Sequence, residues 1–316
     1  MRRLFSLLRR LFPERCLNRE EALNAKKRTV SLLQNSSFIL LLSIALGLAF
    51  PGPAEVTKGL ITPALMLMMA FSLTEVDISQ TASWRIYLKS SLWGLFLNYG
   101  LLSGLILLLS YNLPDEALRQ GFIVMAAVPP AVAILPMTRL LQGDALLSLC
   151  SVALSYLASL LLMPAIIFVF TSQTGISLIY LVQISLALIL LPALASRAAA
   201  RIPINPVLPI NLGFFLVTYT VIGLNHGALW QGSAAVAAIA LARTFAIGLI
   251  IYAAALLAGR SRSIAISYTL LGSFKNLGLA AAVSLMLFGP AAGLPSAFAV
   301  MAETAFFILL TIMKPR

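Results

Sequence analysis

Apolar stretches of helix length follow one another along nearly the whole chain, and this pattern restricts the fold more than any other feature. A helix needs roughly 20 mainly apolar residues to cross the hydrocarbon core of a bilayer. Hydrophobic residues make up 60% of the chain and charged residues 10%, whereas about 25% of residues in a soluble domain are charged. The sequence therefore predicts an all-α membrane protein without a soluble domain.

The hydropathy pattern predicts ten transmembrane helices, which we number as spans 1 to 10. They cover residues 33–50, 57–74, 86–110, 119–138, 144–171, 174–196, 206–224, 230–257, 264–288 and 292–313. With the N-terminus inside, the basic loop residues fall on the cytoplasmic side, apart from Lys58 and Arg119. By the positive-inside rule, we expect a multi-pass protein of the inner (cytoplasmic) cell membrane with both termini in the cytoplasm.

The N-terminal arm, residues 1–30, holds nine of the basic residues, and the segment MRRLFSLLRRLF places leucines near one helical face. This pattern is typical of an interfacial helix on anionic lipids. A disordered basic tail is the alternative. The net charge of +12 follows from the cytoplasmic loops and arm, and does not indicate nucleic acid as a partner.

Ten spans divide into two five-helix repeats, residues 31–172 and 173–316. A repeat with an odd number of spans reverses the orientation of the second copy, so the repeats are predicted to be inverted. The fourth and ninth spans then correspond, and both are interrupted. The former contains Pro129 and Pro130, and the latter contains GSFKNLGLAAAV. Interrupted spans at matching places in two halves point to a transporter binding site.

Lys275 and Asn276 lie within the interruption of the ninth span, where an ammonium in lipid is costly. We expect a broken helix whose Lys275 and Asn276 face a polar cavity. The other charged residues within spans are Arg243 and Glu303. Glu303 can pair with Lys275, or with Arg243 instead. The group forms either a charge-balanced site for an anion or proton, or a structural ion pair between helices.

Further candidates are polar residues within spans. Asn98 either lines the cavity or bridges helices, and Ser148 either binds a ligand or hydrogen-bonds to its own helix. Ser273 lies in the same stretch as Lys275. No cluster of His, Cys or Asp has the spacing of a metal site, and no phosphate-binding loop is present. We therefore expect no cofactor, no metal and no enzymatic activity.

Three stretches of the chain resemble the bile acid:sodium symporter superfamily. ITPALMLMMAFSLTEVDIS is similar to the family's PALMLMMFSMG-type stretch, VPPAVAILPMTRLLQGDALLS to its first crossover, and GSFKNLGLAAAVSLMLFGPAAGLPSAF to its second. The resemblance covers essentially the whole chain. It implies a panel domain of spans 1, 2, 6 and 7 against a core domain of spans 3–5 and 8–10, with the discontinuous spans 4 and 9 crossing in the core.

The resemblance also implies where sodium ligands would lie, and most of these positions are apolar here. The family's ligand positions fall on Ile134, Leu135, Val152 and Leu271, while Ser148 and Asn276 are kept and Asn98 corresponds best to a glutamine. A further glutamine of the family becomes Lys275. We expect that Lys275 replaces bound sodium, attracts an organic anion and, being desolvated, can exchange a proton.

The sequence thus favours a sodium-independent secondary transporter of a small organic anion. A cation/proton antiporter of similar fold is the nearest alternative, but such antiporters use mid-membrane aspartates, and no span interior here has one. A membrane-embedded enzyme would need a nucleophile with a base or a metal cluster. A purely structural membrane protein would not need the embedded Lys275.

Overall fold

The computed structural model of the chain describes residues 33–74, 84–171, 175–227 and 234–313, and these residues form helices and no strands. The α-helices are α1 (Ser36–Ala49), α2 (Ala54–Thr57), α3 (Ile61–Thr74), α4 (Trp84–Leu95), α5 (Ser103–Ser110), α6 (Glu116–Ala127), α7 (Ile134–Leu140), α8 (Ala145–Phe170), α9 (Leu178–Ser185), α10 (Leu191–Ala199), α11 (Val207–Leu224), α12 (Ala234–Leu241), α13 (Ile247–Leu257), α14 (Arg262–Ser273), α15 (Leu277–Phe288) and α16 (Leu294–Ile312). The N-terminal arm, residues 1–30, lies outside the described residues.

Eight helical segments in this part of the chain are long and apolar enough to cross a membrane. They are Ala54–Phe71, Tyr87–Ser110, Ala145–Phe170, Leu178–Ala199, Val207–Leu224, Ala234–Leu257, Arg262–Phe288 and Pro290–Ile312. The other two predicted spans, 33–50 and 119–138, are helical but shorter, since α1 is short and the fourth span is divided between α6 and α7. The prediction of an all-helical protein with many spans is confirmed, whereas helix length does not establish the count of ten.

The helices pack around two hydrophobic clusters. In the smaller cluster, α11 packs against α1 and α3, and α3 packs against α10. The larger cluster contains residues of α5, α6, α7, α8, α12, α14, α15 and α16, and α4 packs against α8. The cluster also contains residues of α9, such as Leu181 and Ile184, from the sixth span. The two groups of helices meet where α15 and α16 contact α1, α3 and α11. The sixth span therefore packs in both groups.

Three of the long helices contain a π-helical turn. These turns are Phe96–Leu102 between α4 and α5, Leu186–Leu190 between α9 and α10, and Ala242–Ala246 between α12 and α13. A π-turn aligns residues i and i+5 on one side of a helix, and such turns often occur at functional sites. The first turn carries Asn98 and the third carries Arg243, so two candidate site residues lie on irregular helix segments.

Gly121 of α6 marks a close approach between two backbones. A methyl group at this position would collide with the carbonyl oxygen of Ala292, in the 3₁₀ turn before α16. A backbone carbonyl cannot rotate away as a side chain does. We expect Gly121→Ala to lower the thermal midpoint by several degrees, because overpacking costs about 1–3 kcal/mol. Circular dichroism or tryptophan fluorescence during heating in detergent measures this.

Gly104→Ala is the matched control, since Gly104 also lies inside a helix, but a methyl group there would meet no atom within 4 Å beyond its own helix and chain neighbours. There the gain in helix propensity, about 1 kcal/mol, should leave stability unchanged or slightly higher. If both variants unfold at the wild-type temperature, the close packing of α6 against the 3₁₀ turn is wrong.

Candidate functional site: a buried lysine between two helix breaks

The first helix break follows from the two prolines. A residue before proline is pushed out of the helical region by the proline ring, and Val128 accordingly has the extended angles φ −69° and ψ 153° and ends α6. Pro129 and Pro130 have no N–H, so the last carbonyls of α6 lose their partners within the helix. Carbonyl oxygens at the end of a helix also carry partial negative charge. The break therefore presents several oxygens that require donors from elsewhere.

Donors from other elements satisfy these carbonyls. The Ala126 oxygen accepts hydrogen bonds from the Ser103 hydroxyl at 2.6 Å and from Lys275 Nζ at 3.0 Å. The Tyr99 hydroxyl donates to the oxygen of the next residue, Ala127, at 3.2 Å. The Val128 oxygen accepts from Lys275 Nζ at 2.9 Å. The end of α6 is thus capped by two neighbouring polypeptide segments.

The second break separates α14 from α15. Phe274 is extended, with φ −115° and ψ 131°, and Asn276 is the N-cap of α15, where its Oδ1 accepts from the Leu279 N–H at 3.0 Å. Asparagine is among the preferred N-cap residues because its side chain satisfies a free amide of the first turn. Its Nδ2 donates to the Tyr156 hydroxyl at 2.9 Å. The asparagine that follows the buried lysine thereby starts the second half of the ninth span.

The two breaks are in direct contact. The Asn276 N–H donates to the Pro129 oxygen at 2.9 Å, which joins the backbones of the breaks. Asn98 connects the first π-turn to the second break, because its Nδ2 donates to the oxygens of Leu271 at 2.7 Å and Phe274 at 3.2 Å. The two interruptions in the sequence pattern lie about 145 residues apart in the chain. In the folded protein they therefore form one local structure.

The ammonium of Lys275 lies inside this structure, with only 1% of the residue exposed. Four neutral oxygens surround Nζ: Asn98 Oδ1 at 2.8 Å, Ser103 Oγ at 2.9 Å, and the Ala126 and Val128 carbonyls at 3.0 and 2.9 Å. The Tyr99 ring lies 4.4 Å from Nζ. An ammonium has three N–H donors, so all of them are engaged. Amide, hydroxyl and carbonyl oxygens are also the ligands that hard metal cations take.

Glu303 pairs with Arg243 rather than with the Lys275 ammonium. Arg243 Nη2 donates to Glu303 Oε1 at 2.7 Å, and the backbone N–H of Lys275 donates to the same oxygen at 3.0 Å. Arg243 is fully buried, and its Nη1 reaches the Ser273 carbonyl at 3.4 Å. The sequence left open whether Glu303 pairs with Lys275 or with Arg243, and the structure has the pair with Arg243. Lys275 and Glu303 still meet, but through the lysine backbone.

A small cavity of about 70 Å³ lies where the two groups of helices face each other. One wall comes from α1, α3 and α11, and the opposite wall comes from both breaks and from α16. The residues that line it are Leu40, Met68, Phe214, Ala131, Val132, Ala133, Met137, Phe274, Lys275, Asn276, Leu277, Val300, Glu303, Thr304 and Phe307. The lining is mostly apolar, with polar groups concentrated at the second break and α16.

Comparison with known proteins gives one family match. The family model described as Sodium Bile acid symporter family matches residues 62–202, which include the first break and its flanking helices. This segment of the chain is therefore similar to the sodium bile acid symporter family. No curated protein matched the chain. The family-model match confirms the resemblance over residues 62–202, which lie in a protein with eight helical segments long and apolar enough to cross a membrane.

Most positions that the resemblance assigns to sodium ligands are filled by buried apolar side chains. Ile134, Val152 and Leu271 are each at most 2% exposed and pack in the larger hydrophobic cluster. Such side chains offer no oxygen to a cation. No group of His, Cys, Asp or Glu among the described residues has the arrangement of a metal site. The oxygens gathered at the breaks surround Lys275 Nζ instead.

The other residues that the sequence analysis predicted for the site are Ser148, Ser273, Pro129 and Pro130, and each has its own position in the structure. Ser148 is buried at the start of α8, where its hydroxyl accepts from Thr138 Oγ1 at 2.9 Å, and it does not line the cavity. Ser273 Oγ donates to the carbonyl of Thr269 in its own helix. Pro129 joins the breaks through its carbonyl, and Pro130 is buried beside it. The structure therefore brings together Lys275, Asn276, Asn98, Arg243 and Glu303, together with Pro129.

Sequence reasoning missed Ser103, Tyr99 and Tyr156, which all contact the breaks. In a regular α-helix, residues five apart do not share a face. The π-turn brings Ser103 next to Asn98, and the Ser103 hydroxyl oxygen also lies 3.1 Å from the Asn98 carbonyl oxygen. The sequence carried no signal for this turn. A polar residue in each of two successive helical turns, NYGLLS, is the only available hint.

Loss of the Asn276 side chain should affect both stability and function. Asn276→Ala removes the cap of α15, which costs about 0.5–2 kcal/mol, and leaves the buried Tyr156 hydroxyl without its partner. We expect a lower thermal midpoint and at least tenfold slower transport. Asn35→Ala is the control, because Asn35 caps α1 in the same way from an exposed position. Equal transport by both variants would show that Asn276 serves only as a helix cap.

Proposed function

We propose that the protein is a secondary-active transporter of a small organic anion, that it works by alternating access, and that the Lys275 ammonium occupies the place of a bound metal cation. One observation carries the proposal. Nζ lies among four neutral oxygens that come from the first break and from the π-turn at Asn98, although it is attached to the second break. A cation in this position holds the two interrupted spans together.

The architecture that goes with this proposal is ten spans in two inverted five-helix repeats, 31–172 and 173–316, whose fourth and ninth spans cross at their breaks. The π-turns of the third and eighth spans support this correspondence, because they occur at matching places in the two halves. Both termini then lie in the cytoplasm, with the arm 1–30 against anionic lipids of the inner membrane.

The charges near the cavity favour an anion as the substrate. Lys275, Arg243 and Glu303 are the buried charged residues of the described part of the chain, so positive charges exceed negative ones by one when all are ionised. Charge within the membrane is costly unless it is paired. An anion that enters the cavity between the helix groups is attracted by this excess. A cation substrate would increase it, which argues against the cation antiporter.

A sodium-independent cycle follows from the same arrangement. A sodium-driven carrier binds and releases its ion in every cycle, whereas a lysine ammonium is fixed to the chain. The apolar residues at Ile134, Val152 and Leu271 add no alternative oxygen ligands. The cavity has a volume of only about 70 Å³. Entry of a larger anion requires the helix groups to separate, as alternating access involves.

Transport assays with the purified full chain in proteoliposomes test this function. Thermal-shift measurements in detergent first screen taurocholate, pyruvate and pantothenate as probes. We expect uptake of at least one of these anions, with the same rate when choline or potassium replaces sodium. An absolute requirement for sodium contradicts the role of Lys275. Absence of binding and uptake across the series contradicts the assignment as an organic-anion carrier.

A further inference from the structure

We propose that Glu303 is the proton-binding group of the cavity, and that one proton crosses the membrane with each anion. This inference rests on the proposed function, because it specifies how the same cavity couples its substrate to an energy source. It assigns the coupling to the carboxylate of α16, whereas the sequence pattern pointed to the ammonium of Lys275.

The two oxygens of the Glu303 carboxylate differ in their surroundings. Oε1 accepts from both Arg243 Nη2 and the Lys275 N–H. Oε2 has no hydrogen bond to any residue that the structure describes, yet the side chain is nine-tenths buried and lines the cavity. Oε2 is therefore an acceptor of this site that remains available for a proton or a ligand.

Lys275 is poorly placed for this role, because its three N–H donors are shared among four oxygens. Loss of a proton from Nζ would leave these acceptors, including two backbone carbonyls at the helix break, short of donors. Among the groups at the breaks, Glu303 is the one whose protonation does not remove an existing hydrogen bond.

The other titratable groups on the elements around Glu303 are few. Arg243 approaches from the π-turn after α12 and Lys275 from the second break, while Tyr156 of α8 reaches that break through Asn276. On α6, Arg119 lies two turns before the break, and on α11 the Tyr219 hydroxyl donates to the Phe50 carbonyl instead. The sequences of α1 and α15 contain no titratable residue. Arg243 and Lys275 therefore set the local charge.

An anion in the cavity changes the protonation of Glu303. A negative charge placed beside the buried Glu303 carboxylate is repelled by it, and this repulsion favours protonation of the carboxylate. The anion therefore binds together with a proton from the adjacent aqueous phase, which forms an O–H bond at Oε2. This O–H donates to the anion, while Oε1 keeps its bonds to Arg243 and the Lys275 backbone. On the opposite side the anion and the proton leave together.

This cycle keeps the charge of the buried cluster constant. Lys275, Arg243 and ionised Glu303 sum to one positive charge when the cavity is empty. The loaded cavity has the same sum, because the bound proton balances the anion. The net movement is therefore electroneutral. A membrane potential should not drive uptake, whereas an inward proton gradient should.

Infrared spectroscopy tests the proton site without any substrate. We expect the full-length protein in liposomes to develop the carbonyl band of a protonated carboxylic acid as the pH falls from about 9 to about 5. The band should disappear in Glu303→Gln and remain in Glu116→Gln, whose carboxylate is exposed and accepts from Gln120. If Glu303→Gln does not fold, Arg243→Met/Glu303→Gln serves instead, since it leaves no uncompensated guanidinium. Absence of a Glu303-dependent band over this range overturns the proposal.

Binding of whichever probe anion the thermal-shift screen identifies tests the linkage to transport. With one linked proton, the Kd should rise tenfold for each pH unit above the titration of Glu303. Glu303→Gln resembles the protonated side chain, so its Kd should not depend on pH in this range. A pH-independent Kd in the wild-type protein overturns the coupling while leaving the carrier function intact. If none of the probe anions binds, the carrier function fails, and the infrared result still decides whether Glu303 titrates.

Discussion

Lys275→Met should abolish transport and lower the thermal midpoint by about 5–10 °C. Methionine has nearly the same length as lysine but no N–H donors, so the Val128 carbonyl and Asn98 Oδ1 lose a hydrogen bond in a buried site. Each buried acceptor without a donor costs about 1–3 kcal/mol, and a few kcal/mol corresponds to several degrees in a protein of this size. Proteoliposome uptake and thermal unfolding in detergent measure the two effects.

A shorter side chain at the same position tests whether the ammonium takes a metal ion's place. Lys275→Ala leaves a space bounded by Asn98 Oδ1, Ser103 Oγ and two carbonyl oxygens. We expect sodium or potassium, but not choline, to raise the thermal midpoint of this variant, since a ligand that binds only the native state stabilises it. The wild-type protein should show no such dependence.

Asn98→Leu in the Lys275→Ala background is the control for this experiment, because it removes one of the four oxygens and should abolish the stabilisation by the cation. If sodium and potassium stabilise Lys275→Ala no more than the wild-type protein, the group of oxygens is an ammonium site only. The proposal that a lysine replaces a bound cation then fails, even if transport of an anion is observed.

Removal of the acid from the buried ion pair should cause the largest loss of stability. Glu303→Leu leaves the fully buried Arg243 without its acidic partner. Breaking a buried pair in this way costs about 3–5 kcal/mol. Arg243→Met should cost less, because Glu303 can take up a proton and keeps the hydrogen bond from the Lys275 N–H.

A double-mutant cycle in detergent measures this asymmetry. We expect Arg243→Met/Glu303→Leu to recover part of the stability that Glu303→Leu loses, since no uncompensated charge remains. Arg197→Met is the matched control, because Arg197 is exposed on α10 and most exposed substitutions change stability by less than about 0.5 kcal/mol. Purely additive effects of the two single substitutions would mean that Arg243 and Glu303 do not interact.

The sequence was most informative where local physics decides the outcome. In lipid, the backbone must satisfy its own hydrogen bonds, so long apolar stretches become helices. The predicted span at 144–171 is α8, Ala145–Phe170, with Asp144 as its N-cap. The interruptions were also readable, because prolines cannot continue a helix and an Asn after a buried Lys is a suitable N-cap. The helix ends at Ala127 and Ser273 follow from these residues.

Partners within the site could not be predicted with the same success. Lys275 and Glu303 were recognised as buried charges, but the choice of Arg243 over the Lys275 ammonium as the partner of Glu303 depends on how α12, α14 and α16 are rotated against one another. Hydrophobic periodicity does not fix this rotation in helices that are apolar on nearly every side. For the same reason, the π-turns at Asn98 and Arg243 were not predicted.

The sequence by itself determined that the chain spans the membrane as helices, that two of its apolar stretches break, and that a lysine lies in one of the breaks. Composition and the chemistry of Pro129, Pro130 and Asn276 suffice for this, because they act through neighbours in the chain. Only the tertiary structure decided that the breaks touch, that Asn98 and Ser103 receive the ammonium, and that Arg243 pairs with Glu303. These contacts join residues at least 60 positions apart, so they depend on how whole helices pack.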